Sequence, residues 1–351
     1  MKVKYSVSIS RLAAAVLLLI GGVLISSCSI NTKDKPIFTY QFLSMGTFFE
    51  IRIFNPDVPA GLGKLCEQRV KEISDWGNLF DKKSEISKVN NHAINEPVLI
   101  NKDFFYVLEQ AVKAGELTAG AFDVTVKPLM DYYHIKTNTA SSEKNQHTNG
   151  SPVTTKTIIP TFLADIDQRY SAAFPSKNIR GILKQVGYQN ICINKQNQTV
   201  FLKNNAQLDL SGILKGYAVD EIVKLLRKAG ITKAIVDGGG NLFCLGLNEK
   251  GEPWKVGVKD PMDPEKIGKL IDLEDQAVAT SAGYERFIRI NGIKYSHIAD
   301  PRTGKLVPAK GSVSVAAPSA MWADIYSTAL FVDPELRFSI KKSKRFFIVF
   351  S

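Results

Sequence analysis

The sequence predicts an α+β fold built from largely antiparallel sheets with flanking helices. Strand-like and helix-like segments are interspersed along its 351 residues, without the regular alternation of a doubly wound parallel sheet. Two strand pairs are joined by short turns, as in β-hairpins: residues 37–54, with a turn at 44–47, and residues 191–202. Apolar and charged fractions of 44% and 23% are those of a globular protein with a sizeable core.

Helices are predicted where apolar residues recur at helical spacing, and Asn101 is expected to cap the second of them. The predicted helices cover residues 63–79, 101–117, 178–186, 215–229 and 321–331. The predicted strands cover residues 37–54, 191–193, 199–202, 234–237, 254–258, 287–290 and 312–317. Residues 134–178 begin with a polar stretch and match no motif, so we interpret them as an insertion.

Residues 1–27 have the layout of a lipoprotein signal peptide. Three basic residues precede an apolar run at 12–25, which is short for a transmembrane helix of about 20 apolar residues. The next residues, Ile-Ser-Ser-Cys, end at Cys28 and have the form of a bacterial lipobox, in which the cysteine is lipidated. The alternative is an ordinary signal peptide with an incidental cysteine. We therefore expect an extracytoplasmic protein that is lipid-anchored to a bacterial membrane, on the periplasmic side of the inner membrane.

Residues 28–36 are interpreted as a tether and residues 37–351 as the functional domain. The formal net charge is +11, but the basic residues are scattered except for a short cluster at 341–345. Nucleic-acid binding would need a basic stripe or a known module, so no nucleic-acid partner is expected. The other cysteines are odd in number and widely spaced, which does not fit a disulfide framework or a zinc site. They are Cys66, Cys192 and Cys244.

Two segments combine glycines with polar side chains at the ends of predicted elements. In residues 120–129, Asp123 lies between apolar neighbours that could form a wall around a polar group; the alternative is an Asx-type turn. In residues 208–220, a strand ends at Asp209 and a helix begins near Lys215. Backbone N–H groups at a helix start, beside a lysine, suit a phosphate group. The alternative is a capped helix whose lysine is solvated.

Two further segments carry candidate catalytic and metal-binding groups. His297 precedes Asp300 in a turn-rich segment, and histidine is the usual general base near neutral pH. The alternative is a structural histidine. Asp324, Ser327 and Thr328 share one face at the start of a predicted helix, where they offer the oxygen ligands that Mg²⁺ prefers. The alternative there is an aspartate that caps the helix.

These four segments resemble, in order and spacing, motifs of the ApbE family, the FAD:protein FMN transferases. The resemblance also includes residues 45–47, 84–90, 237–241 and 280–286, and it runs from about residue 40 to residue 332. It implies the T-fold-like architecture of that family. The positions that match FAD-binding positions of the family are Met45, Phe80, Ala121, Phe122, Asp123, Asp209, Lys215 and Ile298. The positions that match its magnesium site are the Gly212 carbonyl, Asp324, Ser327 and Thr328, and His297 matches the proposed base.

The resemblance implies Mg²⁺-dependent transfer of FMN from FAD to a threonine hydroxyl of an acceptor protein, with release of AMP. Attack of an alcohol on a pyrophosphate needs a cation to neutralise charge and a base to accept the proton, which the candidate residues could supply. The expected acceptors are membrane electron-transfer subunits of the Rnf or Na⁺-translocating NADH:quinone reductase type. Two alternatives stay open: an Mg²⁺-dependent FAD pyrophosphatase that gives FMN and AMP, and a flavin-binding lipoprotein without catalysis.

Overall fold

The structure is a computed structural model of the chain. The residues that it describes are 28–30, 36–133, 135, 177–260, 263, 266–283, 287–290, 293–340 and 347–350. The predicted signal peptide at 1–27, most of the tether and nearly all of the insertion at 134–178 lie outside these residues.

Eight α-helices are present in the described ranges, and two short 3₁₀ turns, Tyr188–Asn190 and Pro334–Leu336, accompany them. The helices are α1 (Leu62–Gly77), α2 (Glu85–His92), α3 (Lys102–Leu117), α4 (Lys127–Tyr132), α5 (Lys177–Leu183), α6 (Leu214–Lys228), α7 (Ala320–Val332) and α8 (Arg337–Ile340). None of the helices in these ranges has both the length and the apolar character needed to cross a membrane.

Sixteen strands complete the described secondary structure. The first eight are β1 (Cys28–Ile30), β2 (Phe38–Ser44), β3 (Thr47–Ile53), β4 (Val98–Leu99), β5 (Ile191–Asn194), β6 (Thr199–Leu202), β7 (Ala234–Gly238) and β8 (Asn241–Leu245). The others are β9 (Trp254–Lys259), β10 (Ile267–Leu273), β11 (Gln276–Ala282), β12 (Phe287–Ile290), β13 (Ile293–Ala299), β14 (Leu306–Pro308), β15 (Ser312–Ala317) and β16 (Phe347–Phe350).

The strands form one large sheet and three small ones, and their pairings are antiparallel. The large sheet has seven strands in the order β16-β15-β11-β8-β7-β3-β2, and the small sheets are β1-β9-β10, β12-β13-β14 and β4-β6-β5. A mixed helix and antiparallel-sheet fold is therefore confirmed. Both predicted hairpins are present, as β2–β3 and β5–β6.

The central strands β7 and β8 of the large sheet are buried on both faces, and their residues are accordingly mostly apolar. On one face, Val236 of β7 and Phe243 of β8 pack in the main core with residues of α1, α3, α6 and α7. On the other face, Ile235 and Cys244 pack against the β1-β9-β10 sheet, whose Trp254 is fully buried. Successive side chains of a strand point to opposite faces, so β7 and β8 each contribute to both cores.

Sequence periodicity located the long helices to within one or two residues and located the strands less completely. The Asn101 side chain accepts a hydrogen bond from the Phe104 N–H, as expected of the N-cap of α3. Several strands had no prediction, among them β8, β11 and β13. The tether interpretation differs from the structure at its start, because Cys28–Ile30 pairs with β9 as a short edge strand.

Candidate functional site

A cavity of about 860 Å³ lies where the β2–β3 turn, the β7–β8 turn, the start of α6, one face of α7 and β13 come together. It collects residues from segments that are far apart in the sequence. The predicted site residues that line it are Met45, Phe80, Ala121, Phe122, Asp123, Asp209, Gly212, Lys215, His297, Ile298, Asp324 and Thr328. Ser327 is the one predicted site residue of the domain that does not line it.

The β2–β3 turn places Met45 at the edge of the cavity in an unusual backbone conformation. Met45 and Gly46 have φ angles of 50° and 70°, so both central positions of this two-residue turn are left-handed. A left-handed conformation is uncommon for a residue with a side chain and is often found at binding sites. The turn contacts the β7–β8 turn so closely that a Cβ at Gly239 would overlap the Thr47 side chain.

The Asp123 carboxylate holds together the loop that follows α3. It accepts hydrogen bonds from the Thr125 N–H at 2.8 Å, the Thr125 hydroxyl at 2.6 Å and the Tyr188 N–H at 2.6 Å. Burial raises the pKa of Asp123, and the hydrogen bonds from Thr125 and Tyr188 counteract that effect. The Asx-type turn is therefore present, and it places Ala121 and Phe122 in the cavity wall.

The segment after β6 brings Asp209 and Gly212 to the same wall. The buried Asp209 carboxylate accepts a hydrogen bond from the Ser211 N–H at 2.8 Å, and burial raises the pKa of Asp209. A Cβ at Gly212 would lie 3.3 Å from the Phe122 ring and 3.8 Å from Thr328 Oγ1. The backbone of Gly212 is therefore close to the hydroxyl group of Thr328.

Helices α6 and α7 contact each other at a glycine, which brings Lys215 and Asp324 to the cavity together. A Cβ at Gly216 would overlap the Ala320 carbonyl, so the two backbones can approach only because this residue is glycine. The Gly216 N–H donates a hydrogen bond to the Asp324 carboxylate at 3.2 Å.

Asp220 of α6 fixes the first turn of α7. Its carboxylate accepts hydrogen bonds from the Ser319 hydroxyl at 2.6 Å, the Ala320 N–H at 2.7 Å and the Met321 N–H at 3.0 Å. These are backbone and side-chain donors that a helix start leaves without intrahelical partners. Asp220 therefore positions the helix that carries Asp324 and Thr328, a role that sequence analysis did not assign.

Asp324 is a buried carboxylate, 7% exposed, at the floor of the cavity. Burial raises its pKa to about 6, against the opposing effect of the Lys215 charge. The described residues contain no group of three or more histidine, cysteine, aspartate or glutamate side chains that could hold a metal. A cation in this cavity would have the Asp324 carboxylate, the Thr328 hydroxyl and the Gly212 carbonyl as protein ligands, with water or phosphate oxygens as the others. These hard oxygen donors fit Mg²⁺.

The structure places Ser327 behind this wall, which differs from its predicted role as a metal ligand. Its side chain is 1% exposed, and its hydroxyl donates to the Asp324 carbonyl oxygen at 3.0 Å. The same hydroxyl lies 3.0 Å from Ser281 Oγ, which in turn lies 3.4 Å from Thr328 Oγ1. Residues three and four apart on a helix share a face only approximately, and tertiary contacts decide which hydroxyl reaches the cavity.

His297 lies on strand β13 and not in a loop, and the Asp300 carboxylate that follows it is bound by an arginine. The Asp300 carboxylate accepts hydrogen bonds from Arg302 Nε at 3.0 Å and Nη2 at 3.1 Å, and Arg302 also bonds to Asp333. The β13–β14 register is irregular between Tyr295 and Ala299. Such irregularity re-aims side chains, and it accounts for two successive residues, His297 and Ile298, lining the same cavity.

The cavity also has a polar lining that sequence analysis did not predict as part of the site. Its members lie on the large sheet and are Gln41, Glu50, Arg52, Asp237, Asn241, Thr280 and Ser281. Some of these residues lie within the recognised motifs. Only the order of the strands in the sheet, which local sequence does not reveal, brings their side chains to the cavity.

The ApbE family model matches residues 45–343 of the chain. Among curated relatives, the FAD:protein FMN transferase of Vibrio cholerae is 29% identical over 299 residues, 84% of this chain and 80% of the relative. That of Treponema pallidum is 28% identical over 339 residues, 92% of this chain and 84% of the relative.

Solved structures share the fold. The ApbE protein of Thermotoga maritima has a TM-score of 0.72 at 29% identity, over 89% of this chain and 94% of that protein. The flavin transferase ApbE of Vibrio cholerae has a TM-score of 0.69 at 25% identity, over 90% and 96% of the two chains.

Proposed function

The chain belongs to the ApbE family, and we propose that it is a transferase that moves FMN from FAD to an acceptor protein, with Mg²⁺ as the cation and a threonine hydroxyl as the nucleophile. The observation that supports this proposal most directly is that a candidate cation site, a lysine and a histidine all line the same cavity. The candidate cation site consists of Asp324, Thr328 and Gly212; the lysine is Lys215 and the histidine is His297.

In the proposed reaction, the acceptor oxygen attacks the phosphorus of the FMN half of FAD. The bond from that phosphorus to the bridging oxygen breaks, and AMP leaves with the bridging oxygen. The hydroxyl proton passes to His297, which acts as the general base. Mg²⁺ bound at Asp324 and Thr328 would neutralise charge that develops on the phosphates. The Lys215 ammonium, at the N-terminal end of α6, compensates the charge of the same diphosphate.

The apolar part of the cavity suits the flavin ring. Phe122 is buried in the wall, whereas Phe80 is 52% exposed and Met45 sits at the turn above. An exposed aromatic side chain at the rim of a cavity offers a face on which a planar ring can stack. The diphosphate then lies toward Lys215 and Asp324, so that FAD spans from the rim to the floor.

We further propose that the protein is anchored by a lipid on Cys28, outside the cytoplasm, on the periplasmic side of the inner membrane. The support is the signal and lipobox pattern of residues 1–28. Anchoring would concentrate the enzyme near membrane-bound acceptors, such as electron-transfer subunits of the Rnf or Na⁺-translocating NADH:quinone reductase type.

The proposal is tested with the soluble domain, FAD, Mg²⁺ and a candidate acceptor domain, by measuring AMP release and the mass of the acceptor. We expect one AMP for each FMN added to the acceptor, and loss of the modification when the acceptor threonine is replaced by valine. Free FMN with an unmodified acceptor would assign the protein as an FAD pyrophosphatase instead. FAD binding without AMP release would assign the protein as a flavin-binding lipoprotein without catalytic activity.

Replacement of the proposed base gives a sharper test of the chemistry. His297→Ala removes the proton acceptor but not the apolar wall, so FAD affinity should stay within about threefold of the wild type. The transfer rate should fall by about 10²–10⁴-fold, the usual contribution of a general base. Single-turnover transfer assays and FAD fluorescence titrations measure the two quantities. An unchanged transfer rate would remove His297 from the mechanism.

A further inference from the structure

Strand β2 is an edge strand of the large sheet. It pairs with β3 over all seven of its residues, and no other strand of the described ranges pairs with it. An edge strand presents a row of backbone N–H and C=O groups with which another chain can pair. Proteins use such edges to bind an extended segment of a partner, which adds to the sheet as a further strand.

The hydrogen-bond pattern of β3 identifies the residues of β2 whose backbone points outward. The Phe54 N–H donates to the Lys233 carbonyl at 3.0 Å, which continues the β3–β7 pairing, so the even-numbered residues of β3 bond to β7. The two sides of an antiparallel strand alternate, so the odd-numbered residues of β3 bond to their even-numbered partners in β2. The odd-numbered residues of β2 therefore direct their N–H and C=O groups away from the sheet. These residues are Thr39, Gln41 and Leu43.

This edge lacks the features that commonly protect edge strands from pairing. Proteins protect such edges with charged side chains, prolines and bulges. The register of β2 with β3 has no bulge, and β2 contains no charged residue and no proline in its sequence, Phe-Thr-Tyr-Gln-Phe-Leu-Ser. The three residues with outward backbone groups are also exposed at their side chains, Leu43 to 63%. The composition of β2 therefore favours an edge that is used for pairing.

The β2–β3 hairpin leads from this edge to the cavity. Its residues that line the cavity include Gln41, Met45, Gly46 and Phe48. Phe48 is 42% exposed and lies opposite Leu43, and cross-strand partners project from the same face of a sheet. The two side chains thus form an exposed apolar pair at the edge of the cavity. A segment that pairs with β2 runs beside this pair and reaches the cavity.

We propose that the outer edge of β2 binds the acceptor protein, through an extended segment of the acceptor that adds to the large sheet as a further strand. This inference rests on the proposed function, in which a side-chain hydroxyl of another protein has to enter the cavity. The segment that carries this hydroxyl has to contact the rim of the cavity, and the hairpin is the part of that rim with an open strand edge among the described residues. Because β2 is uncharged, backbone hydrogen bonds and apolar contacts provide the binding energy.

Thr39→Pro tests the backbone hydrogen bonds of this edge. Proline removes the outward N–H and leaves the hydrogen bonds to β3 in place, as prolines do in natural edge strands. The probe is a candidate acceptor domain whose threonine is replaced by valine, so that it binds without reacting. Its Kd should rise about tenfold, from the lost hydrogen bond and from contact with the proline ring. Thr39→Ala is the matched control, because it removes the same side chain and keeps the N–H. Equal Kd values for the two variants would overturn the proposal.

A second substitution, Leu43→Lys, keeps the test decisive if the proline disturbs the strand. A lysine on an edge opposes pairing with another chain, and the fold should tolerate it because Leu43 is exposed. The Kd for the same probe should rise about tenfold, and the Kd for FAD should stay within about twofold of wild type. Leu99→Lys is the matched control, since Leu99 is 70% exposed on the edge strand β4 of another sheet and does not line the cavity. An equal loss of acceptor affinity in Leu99→Lys would reduce the effect to charge and overturn the proposal.

Amide hydrogen exchange distinguishes strand addition from side-chain contact alone. Binding of the acceptor domain should slow exchange at the N–H groups of Thr39, Gln41 and Leu43 and leave exchange at Leu99 unchanged. Protection of these amides without modification of a reactive acceptor would refute the transferase function and leave the docking surface in place. Modification of an acceptor that protects none of them would overturn the docking surface and leave the transferase function in place.

The other occupant of this edge to be tested is a second copy of the chain, paired through β2 of each copy. Sedimentation of the wild-type protein should show a monomer at the concentrations of the binding assay. A wild-type dimer that Leu43→Lys separates into monomers would assign the edge to self-association and overturn its assignment to the acceptor.

Discussion

Thr328 and Ser327 are neighbours on α7, yet their hydroxyl groups have different surroundings. The Thr328 hydroxyl lines the cavity near Gly212, whereas the Ser327 hydroxyl is engaged with Ser281 and the Asp324 carbonyl. At the scale of single residues, the site thus combines an outer set that faces the cavity with an inner set that holds the outer set in place.

A pair of substitutions distinguishes these two roles. Thr328→Val should weaken Mg²⁺ binding at least tenfold, a loss of about 1.4 kcal/mol, because a hydroxyl ligand is replaced by a methyl group. Ser327→Ala should leave Mg²⁺ affinity within about threefold and lower the free energy of unfolding by about 1 kcal/mol, the net value of a buried hydrogen bond. Calorimetric Mg²⁺ titration and urea denaturation measure these effects. Equal losses of Mg²⁺ affinity would restore Ser327 as a ligand.

At the scale of elements, the geometry of the site depends on how α7 starts. Asp220 of α6 accepts three hydrogen bonds from the first residues of α7, and Gly216 lets the two helices touch. The positions of Asp324 and Thr328, the proposed metal ligands on α7, therefore depend on residues of α6.

Asp220→Asn tests this dependence. The carboxamide keeps only one acceptor oxygen for three donors, so the free energy of unfolding should fall by about 1–3 kcal/mol. Mg²⁺ affinity and transfer rate should fall as well, because α7 carries Asp324 and Thr328. Asn101→Ala is the matched control: it removes the N-cap of α3, at a cost of about 1 kcal/mol, without touching α7. Similar Mg²⁺ affinities in the two variants would contradict a positioning role for Asp220.

At the scale of the whole molecule, an ion-pair network joins three helices that pack in the main core. Arg69 of α1 bonds to Asp103 of α3 at 2.7 Å and to Glu221 of α6 at 2.6 Å, and the Tyr217 hydroxyl donates to Asp103 at 3.0 Å. Burial alone would raise the pKa of Asp103, but the Arg69 guanidinium outweighs burial, and the net pKa is lowered.

The lowered pKa of Asp103 makes the stability contribution of the network pH-dependent. An aspartate whose pKa is lower in the folded state stabilises the fold above its unfolded-state pKa of about 3.9. Asp103→Asn should therefore cost about 1 kcal/mol at pH 7, a modest value because the pair is partly exposed. The difference from wild type should vanish as the pH falls below about 3.9 through the lower folded-state value. Urea denaturation across this pH range measures it; a constant difference would contradict the assignment.

The proposed lipid anchor on Cys28 is tested in cells. Cys28→Ser should move the protein from the membrane fraction to the soluble fraction of cells, since a lipidated cysteine carries the acyl chains. The transfer rate of the purified variant on a soluble acceptor domain should match that of the unanchored wild-type domain. Retention of Cys28→Ser in the membrane fraction would show that another segment holds the protein there.

The local parts of the structure could be predicted because they are encoded within short stretches of sequence. Apolar periodicity located α1, α3, α6 and α7, and the turn at 44–47 indicated the first hairpin. The spacing of polar and glycine residues, together with the family resemblance, selected side chains of which all but Ser327 line one cavity. Strands buried on both faces gave a weaker signal, since they lack the alternation that identifies a half-buried strand.

By itself, the sequence determined the long helices, the β2–β3 and β5–β6 hairpins and the family. It also determined which kinds of side chain the candidate site contains. Only the tertiary structure decided which of these groups face the cavity. It turned Ser327 inward, put His297 on an irregular strand and assigned Asp220 to the start of α7. The physical reason is distance along the chain: Asp324 and the N–H that it binds are 108 residues apart, and no local pattern records such a contact.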